Sequence, residues 1–127
     1  MRIAIDTNRY VDFAKGVPEA VDRFRRADEI FVPFVVLGEL RAGFASGTRG
    51  TENEAGLVRF INSRRVDVVF ASEATTHHYA RLFHQLRRKG TPIPTNDLWI
   101  AALAVQHELH LFARDAHFDH LPQIPRL

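Results

Sequence analysis

Four acidic residues stand where a charge is costly. Asp6 and Asp115 fall just past apolar, strand-like runs, Asp97 opens the most apolar segment of the chain, and Glu39 lies within another helical segment. The neighbours of Glu39 three and four residues away are Val35, Val36, Ala42 and Gly43, so no helical ion pair accounts for it. A carboxylate on such a face must find a partner elsewhere, take up a proton or hold a cation. In an open parallel sheet, right-handed crossovers bring the residues that follow each strand to one edge, where ligands bind. Asp6, Asp97 and Asp115 are expected to converge there, with Glu39 projecting in from its helix. Two carboxylates about 4 Å apart repel by roughly 4 kcal/mol at an effective dielectric near 20. A hard divalent cation relieves that repulsion, and Mg²⁺ or Mn²⁺ is the expected ion. The chain has no Cys and no P-loop, which leaves metal-assisted hydrolysis of a bond such as a phosphodiester. The Thr7 hydroxyl suits either a turn or cap or the fixing of a carboxylate or water in such a site.

Composition narrows the setting. A chain of 127 residues with 46% hydrophobic and 25% charged residues reads as one globular domain, 1–127, large enough for its own core. The absence of Cys excludes disulfides, thiolate catalysis and Cys-based zinc sites. No apolar run reaches the length of a membrane span, and Met1 leads straight into a strand-like segment, so a cytoplasmic location is the default expectation. Of the 17 basic residues all are Arg except Lys15 and Lys89. Arg is the better fork for phosphate and the better stacking partner for bases, which leans toward nucleic acid. The pairs His107/His110 and His117/His120 have the three-residue spacing of a metal site, but without Cys partners or a third positioned ligand they read as solvated or core-edge histidines.

The elements that must position the acids follow from hydrophobic pattern. Residues 2–5, 30–32, 66–70 and 109–113 read as strands, and 123–124, next to Pro125, as a final edge strand. Helices are expected over 8–15, from Pro18 with Ala20, Val21 and Phe24 inward, and over 35–45. Another begins at a capping box, Thr51 to Glu54, and a longer one is capped by Ser72, with Tyr79, Leu82, Phe83 and Leu86 inside. The Arg87-Arg88-Lys89-Gly90 ending is good helix-stop chemistry, and Arg81, Arg87 and Arg88 are candidates for phosphate contacts. Asn96 is the expected N-cap of the last helix, with Asp97 in its first turn, and residues 98–105 are apolar on every side. Strand–helix alternation of this kind predicts an α/β fold with a mostly parallel sheet.

These residues carry a family resemblance. Ile5-Asp6-Thr7-Asn8, Glu39 within VVLGELRAGF, the run TNDLWIAA beginning at Thr95, and Ala113-Arg114-Asp115 followed by Phe118 together resemble PIN-domain ribonucleases. The pattern looks most like the VapC toxins of bacterial toxin–antitoxin pairs, over essentially the whole chain. The resemblance implies a three-layer α/β/α sandwich and a Mg²⁺- or Mn²⁺-dependent endoribonuclease, with Asp6, Glu39, Asp97 and Asp115 at the family's acidic positions. It further implies roles for Thr7 and Asn96, with Asp119 as an extra nearby acid. A homodimer and a small VapB-like antitoxin that covers the site are the implied partners, with RNA as substrate and no membrane. The chief alternative is a catalytically silent PIN-like module that binds RNA or protein, but such members usually lack one or more of the acids. A haloacid-dehalogenase-like phosphatase would need an acid at position 8, which is Asn8. DNA as substrate is disfavoured by the absence of extra elements to grip a duplex.

Overall fold

The computed structural model describes residues 1–127. The elements run β1 (Arg2–Ile5), α1 (Thr7–Ala14), α2 (Pro18–Arg26), β2 (Glu29–Pro33), α3 (Phe34–Ser46), α4 (Gly50–Ile61), β3 (Val66–Val69), α5 (Glu73–Lys89), α6 (Thr95–Gln106) and β4 (His110–Phe112), followed by a 3-10 helix, Ala116–His120. The four strands form one sheet in the order β3-β2-β1-β4, and every pairing is parallel. Helices flank it in the α/β/α arrangement expected. Chain direction along the sheet reverses after β3, so β1 and β4 are neighbours with their following loops side by side. That junction is the switch point at which open sheets bind ligands. Its register is fixed by Ile3 opposite His110 and Ile5 opposite Phe112, and the Asp6 N–H donates to the Phe112 carbonyl at 3.3 Å.

Burial explains why these segments adopt these elements. Ile3, Ala4 and Ile5 are fully buried, as a central parallel strand covered on both faces requires. In α6, Leu98, Ile100, Ala101, Ala102, Leu103 and Ala104 are all buried, and its main packing partner is α5. A helix without a polar side has to be enclosed in this way. Gly90 ends α5 in the left-handed conformation, φ +71°, which a side chain disfavours.

Several local expectations are corrected. Pro94, not Asn96, occupies the N-cap of α6, and Asn96 is exposed in the first turn. The helix therefore starts without a side-chain cap, two residues earlier than its polar residues suggest. The capping box at Thr51 does not form, because α4 begins at Gly50 and Arg41 of α3 takes the Glu54 carboxylate in a two-pronged pair at 2.9 and 3.0 Å. Phe83 is 48% exposed rather than inside, since Leu82 and Leu86 point the buried face of α5 elsewhere. Phe70 lies outside β3 and is also exposed. Residues 123–124 form no strand; Arg126 makes an isolated parallel bridge to Leu111, with the Leu111 N–H donating to the Pro125 carbonyl. The prolines on either side allow that single bridge and no longer ladder.

Candidate active site

At the switch point the chain leaves β1 through Asp6, whose side chain caps α1. One Asp6 carboxylate oxygen accepts the Arg9 N–H at 2.8 Å and the other accepts the Arg114 N–H at 3.3 Å. Burial pushes its carboxyl above the usual carboxylate range, against those two amide bonds and the positive charges of Arg9 and Arg114. Both cations are held from behind. The Arg9 guanidinium lies 4.1 Å from the Phe112 ring centre and bonds Asp12 and Glu19, and Arg114 Nε sits 3.3 Å from the same Asp12 carboxylate. Asp12 is buried, so this relay couples the two segments that flank Asp6. In the sequence Arg9 and Asp12 carried no assigned role, and Arg114 entered only as part of the Ala113-Arg114-Asp115 motif.

Thr7 follows Asp6, and its hydroxyl donates to Glu39 Oε1 at 2.8 Å, tying α1 to α3. Glu39 is exposed, not buried among apolar neighbours. The small residues around it leave an open groove rather than a packed face: Val35, Gly38, Ala42 and Asn96 line it together with Phe34 and Glu39.

Beside that groove lies a cavity of about 490 Å³ lined by Glu39, Pro94, Thr95, Asn96, Asp97, Asp115 and His117, with no hydrophobic side chain. The N-terminus of α6 opens onto it and brings Asp97 in its first turn, where the helix dipole favours negative charge. Asp115 caps the 3-10 helix, accepting the His117 N–H at 2.9 Å. His117 Nδ1 lies 2.7 Å from Asp97 Oδ2 and 2.9 Å from Asp115 Oδ1. As Nδ1–H the ring donates to either carboxylate, whereas the Nε2–H tautomer leaves an Nδ1 lone pair facing both acids. Ligand atoms of Asp97, Asp115 and His117 all fall within 4.8 Å of one another. Burial raises the Asp97 carboxyl above its ordinary range, the His117 hydrogen bond opposes this, and the negative charges of Asp115 and Glu39 add to the rise.

The structure thus gathers Glu39, Asp97 and Asp115 around one polar cavity, with Asn96 on its rim. Asp6 is held at the β1–β4 junction by the Arg9 and Arg114 amides, the second of them the residue before Asp115. Asp119 turns away to pair with Arg126 at 2.7 Å. Arg81, Arg87 and Arg88 lie exposed on α5 with no carboxylate partner, and Arg87 lines a separate, mainly apolar cavity with Phe83, Leu86, Pro92, Ile93 and Leu98. His117 was weighed in the sequence only as a pair with His120 and set aside as a solvated or core-edge histidine. Its signal was its place two residues after an acid at a strand end, not its spacing from His120.

Comparison with known proteins bears on this geometry. The PIN domain family model matches residues 3–124. Ribonuclease VapC1 of Haemophilus influenzae is 29% identical over 121 residues, covering 87% of this chain and 89% of the relative. Ribonuclease VapC11 of Mycobacterium tuberculosis is 30% identical over 131 residues, covering 98% of this chain and 95% of the relative. Among solved structures, VapBC2 from Rickettsia felis, bound to a DNA fragment from their promoter, superposes with a TM-score of 0.86 at 24% identity, over 100% of this chain and 98% of that one.

Proposed function

This chain belongs to the PIN-domain family, and from that premise we propose that it is the toxin of a toxin–antitoxin pair, an endoribonuclease that hydrolyses RNA phosphodiester bonds with Mg²⁺ or Mn²⁺. Residues 1–127 make up one such domain. Asp6, Glu39, Asp97 and Asp115 carry the reaction. The observation that bears most weight is the crowding of Asp97 and Asp115, with Glu39, in one polar cavity where Asp97 is reluctant to ionise. Such a site is electrostatically incomplete without a cation.

The donor set fits a hard divalent ion, since three carboxylates supply oxygen ligands and no thiolate is present. When bound, the ion supplies positive charge that offsets charge developing on the scissile phosphate. Asp97 and Asp115 hold it, and Glu39 is kept facing the cavity by the Thr7 hydroxyl. Asp6, pinned by the Arg9 and Arg114 amides at the β1–β4 junction, is the fourth carboxylate of the set. The positive end of α6 at Thr95 and Asn96 attracts the phosphate itself.

A VapB-like antitoxin and a second copy of the chain are the protein partners. Exposed apolar surface suits them: Phe34 stacks on the exposed Phe70 and meets Trp99, which packs on Tyr79 and thence on the exposed Phe83. No helix is long and apolar enough to cross a membrane.

The deciding experiment digests total RNA with purified, antitoxin-free protein in EDTA, Mg²⁺ or Mn²⁺ and sequences the new ends. Metal-dependent cuts at a few sites are expected. Folded protein that cuts nothing would instead be a binding module. Ion binding has its own readout in the melting temperature. At an ion concentration of about 100 times Kd the folded state gains about 2.7 kcal/mol, a rise of roughly 10 °C for a domain of this size. EDTA should reverse it.

A further inference from the structure

We propose that His117 is itself a ligand of the divalent ion, through Nδ1, so that the site has a mixed nitrogen–oxygen donor set and prefers Mn²⁺ to Mg²⁺. The inference rests on the nuclease reading above and adds a ligand to it. Nδ1, not Nε2, is the nitrogen turned to the acids, 2.7 Å from Asp97 Oδ2 and 2.9 Å from Asp115 Oδ1. Ligands held about 2.1 Å from one ion at adjacent corners of an octahedron are about 3 Å apart. The two separations from Nδ1 match that edge and all three ligand atoms lie within 4.8 Å of one another, so an imidazole with its proton on Nε2 presents Nδ1 to an ion shared with both acids.

The imidazole is also held in place by the fold. Asp115 Oδ1 accepts the His117 backbone N–H at 2.9 Å, and the next residue, Phe118, is 1% exposed and anchors the 3-10 helix in the core. Arg126 ties down the preceding segment by donating to the Ala113 and Asp115 carbonyls at 2.7 and 3.2 Å. A side chain positioned this firmly between two carboxylates is built for more than solvent. Its other neighbours are polar and its ring is 42% exposed, which leaves an ion free to enter from the cavity.

Nitrogen in the ligand set changes selectivity. Carboxylate oxygens suit Mg²⁺ and Mn²⁺ alike, whereas imidazole favours the transition ion. Wild-type protein is expected to bind Mn²⁺ at least about tenfold more tightly than Mg²⁺, and His117→Ala to narrow that gap. The direct test is pulsed electron paramagnetic resonance of the full chain loaded with Mn²⁺ alone, read for coupling to a ¹⁴N nucleus. Wild type should show one directly bonded nitrogen. The signal should vanish in His117→Ala and in His117→Asp, while the Asp variant recovers ion affinity through its oxygens. Circular dichroism shows that each variant is folded. Mn²⁺ bound without nitrogen coupling would overturn the histidine ligand and leave the nuclease reading intact. No Mn²⁺ bound by folded wild type would overturn both.

Discussion

Asp97→Asn is expected to cut RNA cleavage by roughly 10²–10³-fold or more while leaving the metal-free protein more stable at pH 7, not less. The loss follows from removing a carboxylate that faces both Asp115 and Glu39 across the cavity. The gain in stability follows from the raised Asp97 carboxyl, whose first cause is burial. A carboxyl that holds its proton more tightly when folded favours the folded state at low pH. That contribution fades as pH rises from the ordinary value of 3.8 through the higher folded value, because the native state then binds more protons than the unfolded one. At pH 7 the wild type therefore carries an unfavourable charge that Asn lacks. Asn can still accept the His117 Nδ1 proton, so the local bond at 2.7 Å has a replacement. Melting curves of the metal-free proteins between about pH 4 and pH 7 should diverge, the wild type falling further as pH rises. Asp6, also raised, is unchanged in both and cancels in the comparison. Equal stability slopes, or activity kept by the variant, would contradict this account.

Phe112→Ala is expected to destabilise the protein by about 3–5 kcal/mol, the usual cost of emptying a fully buried aromatic site. Phe112 is fully buried at the end of β4, with Phe24 edge-on at 6.2 Å and the Arg9 guanidinium 4.1 Å from its ring centre. Truncation removes apolar packing and strips the cover from a buried cation, whose Nε already lacks a hydrogen-bond partner. A loss of this size is a large share of a typical total of 5–15 kcal/mol. In urea the midpoint should fall by about 2 M, taking a slope of roughly 2 kcal/mol per M. Phe83→Ala is the control: that ring is 48% exposed, so its removal should shift the midpoint far less. If the two variants behaved alike, the packing of Phe112 against Phe24 and Arg9 would not carry this stability.

How much of this was legible in the chain depends on the range of the force involved. Burial is nearly a property of the segment. The uninterrupted apolar runs at Ile3–Ile5 and along α6 can only be enclosed, so the central strand, the central helix and the parallel α/β plan follow from residue type alone. Acids placed just beyond such strands were readable for the same reason, since strand ends of a parallel sheet share an edge. The spacing pattern around Asp6, Glu39, Asp97 and Asp115 carried the family. Caps and edges were less legible, because Thr51 and Asn96 are good capping residues that lose to competitors outside their own segment: the Arg41 fork for Glu54 and the Pro94 turn.

Side-chain contacts across elements belong to the tertiary structure alone. Glu39 looked buried from its helical neighbours, yet α3 presents that face to an open groove and Thr7, 32 residues away, holds its carboxylate. His117 looked like a solvated histidine, yet the 3-10 helix swings it between Asp115 and an acid 20 residues earlier. Periodicity reports which face of an element turns inward. What stands opposite that face is set by the β3-β2-β1-β4 order and the packing of α6, and no local pattern encodes it.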